Sequence, residues 1–551
     1  MTLREILFLI SIPLAVVIFF LIATPSSNTS SAGAQAIINK SINWKNVKDD
    51  PSHHYDYKTM LILHNFGQKG TWKRKWLEDK FNASFDIIKV DPSVYSQKMP
   101  LILASGEIPD FFDCLVSQKK LAWNGYLMEL PYELLAKHAP NMVRLINKYA
   151  PNAWSRTYDE KTGKNYGIPL LWPEGRYPKT GIWREDWLAN IGYDHAPETL
   201  DEFHDALYKF TYNDPDRNGL NDTYGMSGDI KYYPATFTEI FGAFGIQPYN
   251  WILKDGKITW GGIQPETKLA LEFLRKCYGE KIIHPDMLTD NVFTEVLQKF
   301  YEGKTGYVNY SCWYEKFCAD KPQSALSIIK AINPDAKIIP GPPPVGLDGK
   351  RSSRIVSLAH GTTLVFGRHM LNNPEKVVRI LKMFDAIYAD EETYLKFFLG
   401  KQGLHWDYKK DSPEKMIVAL PPYDNKYVME KEGSLTPGNL IQFGDPEIIA
   451  KYISRTEMDF NMKYRNPQWA WGDIFMGGTV NQSEKYMGGL NLLQLQCYAE
   501  IISGRRSLSD FDGFVEKWKR QGGDILIGEA NRMYFDLSKE ISEKFGAANG
   551  Q

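Results

Sequence analysis

Apolar residues fall in short runs broken by polar, Gly- and Pro-bearing turns, and the period of those runs alternates along the chain. Met60-Leu-Ile-Leu63 is a continuous apolar run of strand length, Trp72–Phe81 carries apolar positions at helical spacing, and Phe85–Val90 reads as a second strand. Ser93–Ala104 is helical again, and Phe111-Phe112 opens a third strand. Strand and helix in alternation predict an α/β lobe with a largely parallel sheet. Tyr166–Trp172 is extended, held out of helix by Pro169. Thr199-Leu-Asp-Glu202 is a capping box that predicts a helix to about Phe210. Pro265 opens a helix through Lys276, Val292–Tyr301 is another, and Lys304–Asn309 is a strand. A Pro- and Gly-rich linker, Pro340–Gly349, leads to the strand-like Ile355–Phe366. Asn373-Pro374 caps and starts a helix to Tyr388, and Glu391–Leu399 is the next. Gly400–Trp406 is a turn, and the remainder is helical with loops.

The N-terminus is patterned differently. Arg4 precedes an apolar run from Ile6 to Ala23. At about 18 residues it lies between a signal-peptide core and a spanning helix. The small, polar stretch Thr24–Gln35 contains Ala32-Gly33-Ala34, which suits cleavage. Residues 1–35 therefore read as a signal peptide or uncleaved anchor, and 36–56 as a polar linker. No cysteine lies near the segment, which argues against a lipid anchor. Cleaved or retained, it places the rest of the chain outside the cytoplasm, secreted, periplasmic or on the cell surface.

With 551 residues the chain predicts two or more lobes. A net charge of -1 argues against a nucleic-acid partner, which calls for a basic face. The 15 Trp and 31 Tyr supply large cores, or flat rings for stacking on a ligand. Five cysteines cannot all pair, so the chain is no disulfide scaffold, and each reads as a small buried residue.

The most specific chemistry is Asp214-Pro-Asp-Arg-Asn-Gly-Leu-Asn-Asp222, the first nine positions of a twelve-residue calcium loop. Asp214, Asp216 and Asn218 can converge on one hard cation, Gly219 permits the sharp turn, Leu220 offers its carbonyl, and Asp222 a carboxylate or water bridge. Position 12 is Gly225 where a bidentate Glu would stand, so Thr223 or a distant residue is expected to close the shell. No second helix follows, which predicts a structural calcium ion rather than a switch. A metal-free polar turn is the alternative.

The order of Ser105-Gly-Glu-Ile-Pro-Asp110, Tyr166-Gly-Ile-Pro169, Trp183-Arg-Glu-Asp-Trp-Leu188, the calcium loop, Gly303-Lys-Thr-Gly306, Asn373-Pro-Glu375, Tyr388-Ala-Asp-Glu-Glu392 and Ser507-Leu-Ser-Asp-Phe511 resembles the family 1 extracellular solute-binding proteins of ABC sugar importers. The likeness is to the LplA-like branch, related to alginate-binding proteins, and covers about residues 57–540. The resemblance implies an α/β, two-lobed periplasmic-binding-protein-like type II fold with a ligand cleft between lobes. Carried over, residues 57–168 and 341–400 form lobe 1, and 169–340 and 401–545 form lobe 2. The chain then crosses near Pro169, Pro340 and Gly400. The resemblance further implies a monomer that captures an oligosaccharide by hinge closure and delivers it to ABC permease subunits. Its membrane association would run through those partners or the N-terminal segment.

Ring-bearing and hydrogen-bonding side chains near the crossings are the candidate ligand contacts: Trp172, Arg176, Tyr177, Trp183, Trp313 and Trp406. Arg176 would clamp a carboxylate if the ligand is a uronate. Phosphate-loop, zinc-protease and nucleophile-elbow motifs are absent from the sequence. No catalysis is expected. The alternatives are a secreted, calcium-containing polysaccharide-degrading enzyme, since a carboxylate pair is compatible with the sequence, and a sensor accessory presenting ligand to a membrane receptor.

Overall fold

The computed structural model describes residues 42–91, 94–230, 237–290, 293–309, 312–319, 324–346, 348–355, 359–410, 416–434, 444–475 and 480–546. The expected export segment, residues 1–35, lies outside them.

Two sheets organise these residues. The first contains β1 (Tyr55–Met60), β2 (Ala83–Ile87), β3 (Phe111–Cys114), β4 (Ile168–Leu171) and, from much later in the chain, β9 (Ala359–Phe366). Its order is β2-β1-β3-β9-β4, with β1 parallel to β2 and β3, and β9 antiparallel to β3 and β4. The second contains β5 (Gly181–Arg184), β6 (Tyr224–Met226), β7 (Thr305–Val308) and β8 (Ile338–Gly341), in the order β8-β5-β7-β6. β5 is antiparallel to β8 and β7, and β7 is parallel to β6.

β1 ends where the apolar run Met60–Leu63 begins. The reason is Asp113: its buried carboxylate accepts the Ile62 and Leu63 amides, both at 2.8 Å, so this run is capped by a side chain instead of a neighbouring strand. Pro340 and Gly341 belong to β8 rather than to a linker, because an edge strand tolerates proline. The helix Trp72–Phe81 has the bounds its periodicity predicts, and Leu200–Tyr212 starts on the complete Thr199/Glu202 capping box.

Alternation of side chains across the first sheet splits its core. Tyr57, Phe85, Phe111 and Phe366 bury one face with Phe66 and Phe384. Met60, Phe112, Cys114 and Val365 bury the other against the helix Tyr95–Ala104. In the second sheet Trp183 and Tyr307 pack with Phe203 and Phe210 on one face, while Ile182 and Val308 pack with Val296, Phe300 and Cys312 on the other. Cys114, Cys277, Cys312 and Cys497 are buried as expected, and Cys318 is half-buried.

The chain passes from the first sheet to the second between Leu171 and Gly181, and back between Gly341 and Ala359. The crossing expected near Gly400 lies farther on. His405 packs on Trp72, Gln68 N donates to Lys431 O, Arg144 pairs with Asp445 and Tyr452 bonds Glu391, all on the side of the first sheet. Ser454 then caps the helix Arg455–Tyr464, whose Phe460 meets Tyr314 and Phe317 beside the second sheet. The C-terminal helices return once more: Phe545 stacks on Trp154 at 4.4 Å. Sequence spacing could not show this, because amphipathic helices fit either lobe equally well.

A Cβ at Gly181 would overlap the Tyr307 ring. Gly181→Ala is therefore expected to lower stability by ~1–3 kcal/mol, read as a shifted denaturant midpoint with an unchanged slope.

Candidate functional site

Strand direction fixes which loops meet. β1, β3 and β4 are mutually parallel, so their C-terminal ends share the edge from which the crossing to the second sheet leaves. β5 begins at the crossing side of its own sheet, and β6, β7 and β8 end there. The carboxyl ends of strands in open α/β sheets are where ligands bind.

Three passes of the chain converge at this edge. Lys179 N donates to Arg354 O at 3.1 Å, Thr180 Oγ1 to Tyr464 O at 3.2 Å, and Ser353–Arg354 pairs in parallel with Ala470–Trp471. Charged groups and rings gather on them. Glu174 Oε1 accepts from Trp313 Nε1 at 2.5 Å and lies 3.4 Å from both Lys179 Nζ and Arg465 Nη2. Glu174, Lys179 and Arg465 are all buried. Lys179 Nζ sits 4.2 Å from the Trp313 ring centre and 5.8 Å from that of Trp172. Arg465 is 5.3 Å above Tyr177, and Arg176 is 4.7 Å above the same ring and donates to its hydroxyl at 2.7 Å. Trp172, Arg176 and Trp313 are half-buried and form the accessible rim.

The electrostatics follow from crowding. Burial raises the Glu174 carboxyl, but Lys179 and Arg465 beside it outweigh that and hold it below the usual carboxylate range. Burial pushes Lys179 down to about 8, opposed by Glu174 and reinforced by Arg465. One strand deeper, Glu239 is buried and accepts from Gly181 N at 3.1 Å and from the Tyr307 hydroxyl. Burial raises it to about 8 against those bonds.

Of the expected ligand contacts, the structure gathers Trp172, Arg176, Tyr177 and Trp313 in this cluster. Trp183 and Trp406 are core side chains instead, 1% and 3% exposed. Trp183 packs among Phe203, Phe210 and Tyr307, and Trp406 is held by Gly400 O at 3.1 Å in the segment that folds onto the first sheet. Spacing from a crossing did not reveal which side of the strand each ring takes. Lys179 and Arg465 were missed. Lys179 shares the Trp172–Thr180 crossing, which was its only signal, whereas Arg465 lies 291 positions from the carboxylate it meets.

The calcium-type loop joins the helix Leu200–Tyr212 to β6. Asp214 accepts the Asn218 and Gly219 amides at 3.0 Å each, and Gly219 takes a positive φ of 80°. The Asn218 side-chain Nδ2 donates to Asp216 at 2.9 Å and to Asp222 at 3.2 Å. Burial and the adjoining Asp214 raise the Asp216 carboxyl, and Asp216 Oδ1 is a buried oxygen without a partner. A cation would relieve both, so Asp214, Asp216, Asn218 and Asp222 fit one. Thr223 does not join them: its hydroxyl donates to Phe210 O at 2.7 Å inside the lobe. Leu220 turns its side chain to solvent. Position 225 has no room for the bidentate Glu of a complete loop, because even a Cβ there would press on Leu207 and Ile282 where β6 meets the helix. Among the described residues no group of three or more His, Cys, Asp or Glu is arranged to hold a metal.

A family model described as bacterial extracellular solute-binding protein matches residues 65–367. The chain belongs to that solute-binding family. Among curated proteins, the polygalacturonan/rhamnogalacturonan-binding protein YtcQ of Bacillus subtilis (strain 168) is 26% identical to it over 500 residues, 88% of this chain and 92% of the relative. Among solved structures, an HMO-binding, ABC-transporter-associated solute-binding protein from Bifidobacterium longum infantis ATCC 15697 aligns with TM-score 0.65 and 16% identity, covering 90% of this chain and 99% of the other. The alginate-binding protein AlgQ2, solved without calcium ion, aligns at 0.61 with 15% identity, covering 91% and 99%. Both structures share the two-lobed fold.

Glu239 gives this solute-binding protein a pH signature. Its folded-state value of about 8 exceeds the ordinary 4.5. The native state therefore holds a proton that the unfolded chain has lost, and stability falls as pH rises across that window. In Glu239→Gln this decline should flatten, seen as a smaller difference in melting temperature between the two ends of the window.

Proposed function

We propose that this solute-binding protein is the extracytoplasmic capture component of an ABC importer for oligosaccharides. It encloses ligand between its lobes by hinge closure, hands it to permease subunits, and performs no chemistry on it. The observation that carries this reading is the convergence of Trp172, Tyr177 and Trp313 with Arg176 and Lys179 where the chain crosses between sheets. Rings suit the C–H faces of a sugar, and charged donors suit its hydroxyls. The carbohydrate ligands in the names of YtcQ and of the Bifidobacterium and alginate-binding proteins support it.

The two buried carboxyl groups at this edge, Glu174 and Glu239, favour binding over glycoside hydrolysis. Glu174 is committed to three donors and Glu239 to two, so neither is placed as a free acid or base. The protein acts as a monomer outside the cytoplasm, routed there by residues 1–35. A structural calcium ion would be held by Asp214, Asp216, Asn218 and Asp222 with the Leu220 carbonyl. When bound, it neutralises the crowded carboxylates and fixes the helix-to-β6 turn.

A ligand that binds only the folded state raises the melting temperature. An oligosaccharide screen in calcium buffer should give an upward shift of roughly 2–4 °C near a hundredfold excess over Kd, with the sugar recovered intact. Recovery of shortened products would replace this reading with the enzyme. Chelator should lower the melting temperature of the parent, and Asp214→Ala with Asp216→Ala should abolish that response. An unchanged parent would sink the calcium assignment.

A further inference from the structure

Among the described residues, the ion cluster at the crossing edge is short of negative charge. Lys179 and Arg465 share one buried carboxylate, Glu174, which meets both and Trp313 through the single oxygen Oε1, and Arg176 stands over the Tyr177 ring that Arg465 also covers. The other acids nearby do not restore the balance. Glu239 is raised to about 8 and so carries a proton at neutral pH. Glu315, half-buried on the Trp313 loop, acts on Lys179 less than Glu174 and Arg465 do and also attracts Lys316.

Arg176 is the least satisfied of the three cations. It gives one hydrogen bond to Tyr177, and its buried Nε has no partner among the described residues. A guanidinium presents donors in a planar fork that matches a carboxylate, and a lone sugar hydroxyl neither fills that fork nor offsets its charge. The half-buried Trp172 and Trp313 ring centres lie 5.8 and 4.2 Å from Lys179 Nζ, beside the same crossing.

We infer that the cluster of Arg176, Lys179 and Arg465 selects an anionic sugar, reading a uronic-acid carboxylate through Arg176 with Lys179 behind it. This deepens the oligosaccharide-capture reading and rests on it. Arg176 and Lys179 are the specificity-determining residues, and Trp172 and Trp313 supply the ring contacts common to neutral and acidic sugars. Lys179 loses its charge above about 8, so selectivity for the anion weakens there.

The test is calorimetric titration of the full chain with galacturonic acid oligomers and with the same oligomers after carboxyl reduction to neutral galactose units. At neutral pH the acidic oligomer should bind roughly tenfold or more tighter, the worth of one charge-assisted hydrogen bond. Arg176→Gln should reduce the ratio of the two affinities by about the same factor, whereas a purely structural role would weaken both sugars alike and leave the ratio unchanged. The ratio should also narrow between about pH 7 and about pH 9 as Lys179 is neutralised. Equal binding of both oligomers would overturn the charge assignment and leave sugar capture standing. Binding of neither, with other neutral oligosaccharides bound, would do the same. Binding of no sugar at all would overturn both.

Discussion

The crossing region depends on one buried charge arrangement, the Glu174 carboxylate held between Lys179 and Arg465. Its members come from two separate passes of the chain, and a third pass at Ser353–Arg354 is tied to both through Lys179 N and Trp471. Burying charges costs several kcal/mol per ion unless each is paired and hydrogen-bonded. The arrangement is therefore a constraint more than a source of stability: once it is formed, the crossings have little freedom to slide against one another. Removing one partner would leave a buried charge exposed to that cost, which makes the crossing region register-specific.

The same constraint shapes the chemistry. The backbone crossings bring together strand ends from both sheets, and the rings they carry lie beside cations fixed by the ion cluster. Binding by aromatic faces and charged donors needs such prepositioning, because ordering long side chains at the moment of capture costs affinity. The carboxylates of this edge serve the architecture. Glu174 holds Lys179 and Arg465, and Glu239 anchors β5 through Gly181 N and Tyr307, while Trp172, Arg176 and Trp313 stay half-buried at the rim.

Away from the crossings, stability comes from ordinary layered packing. Phe111 and Phe112 face opposite sides of the first sheet and so serve two cores. The return of the C-terminal helices to Trp154 ties the last residues to the helices flanking the first sheet. The segment before Tyr452 likewise belongs to that side, so the chain passes between the sheets more often than two compact halves would require.

Local rules determined a good part of this in advance. The period of apolar residues set the helix Trp72–Phe81, the Thr199/Glu202 box set the start of Leu200–Tyr212, and the Asp/Asn/Gly spacing of 214–222 set the turn geometry, because each depends on neighbours within a few residues. The ordered landmarks also carried the family, and with it the two-lobed fold. What only the tertiary structure decided is everything set by distant partners. Trp183 and Trp406 became core rings while Trp172 and Trp313 stayed at the rim, Thr223 turned inward to Phe210 O, and the described residues between 405 and 452 chose the first sheet. Arg465 joined Glu174 across 291 positions. Burial and charge pairing are properties of space, and sequence spacing fixes them only where chain neighbours are also neighbours in the fold.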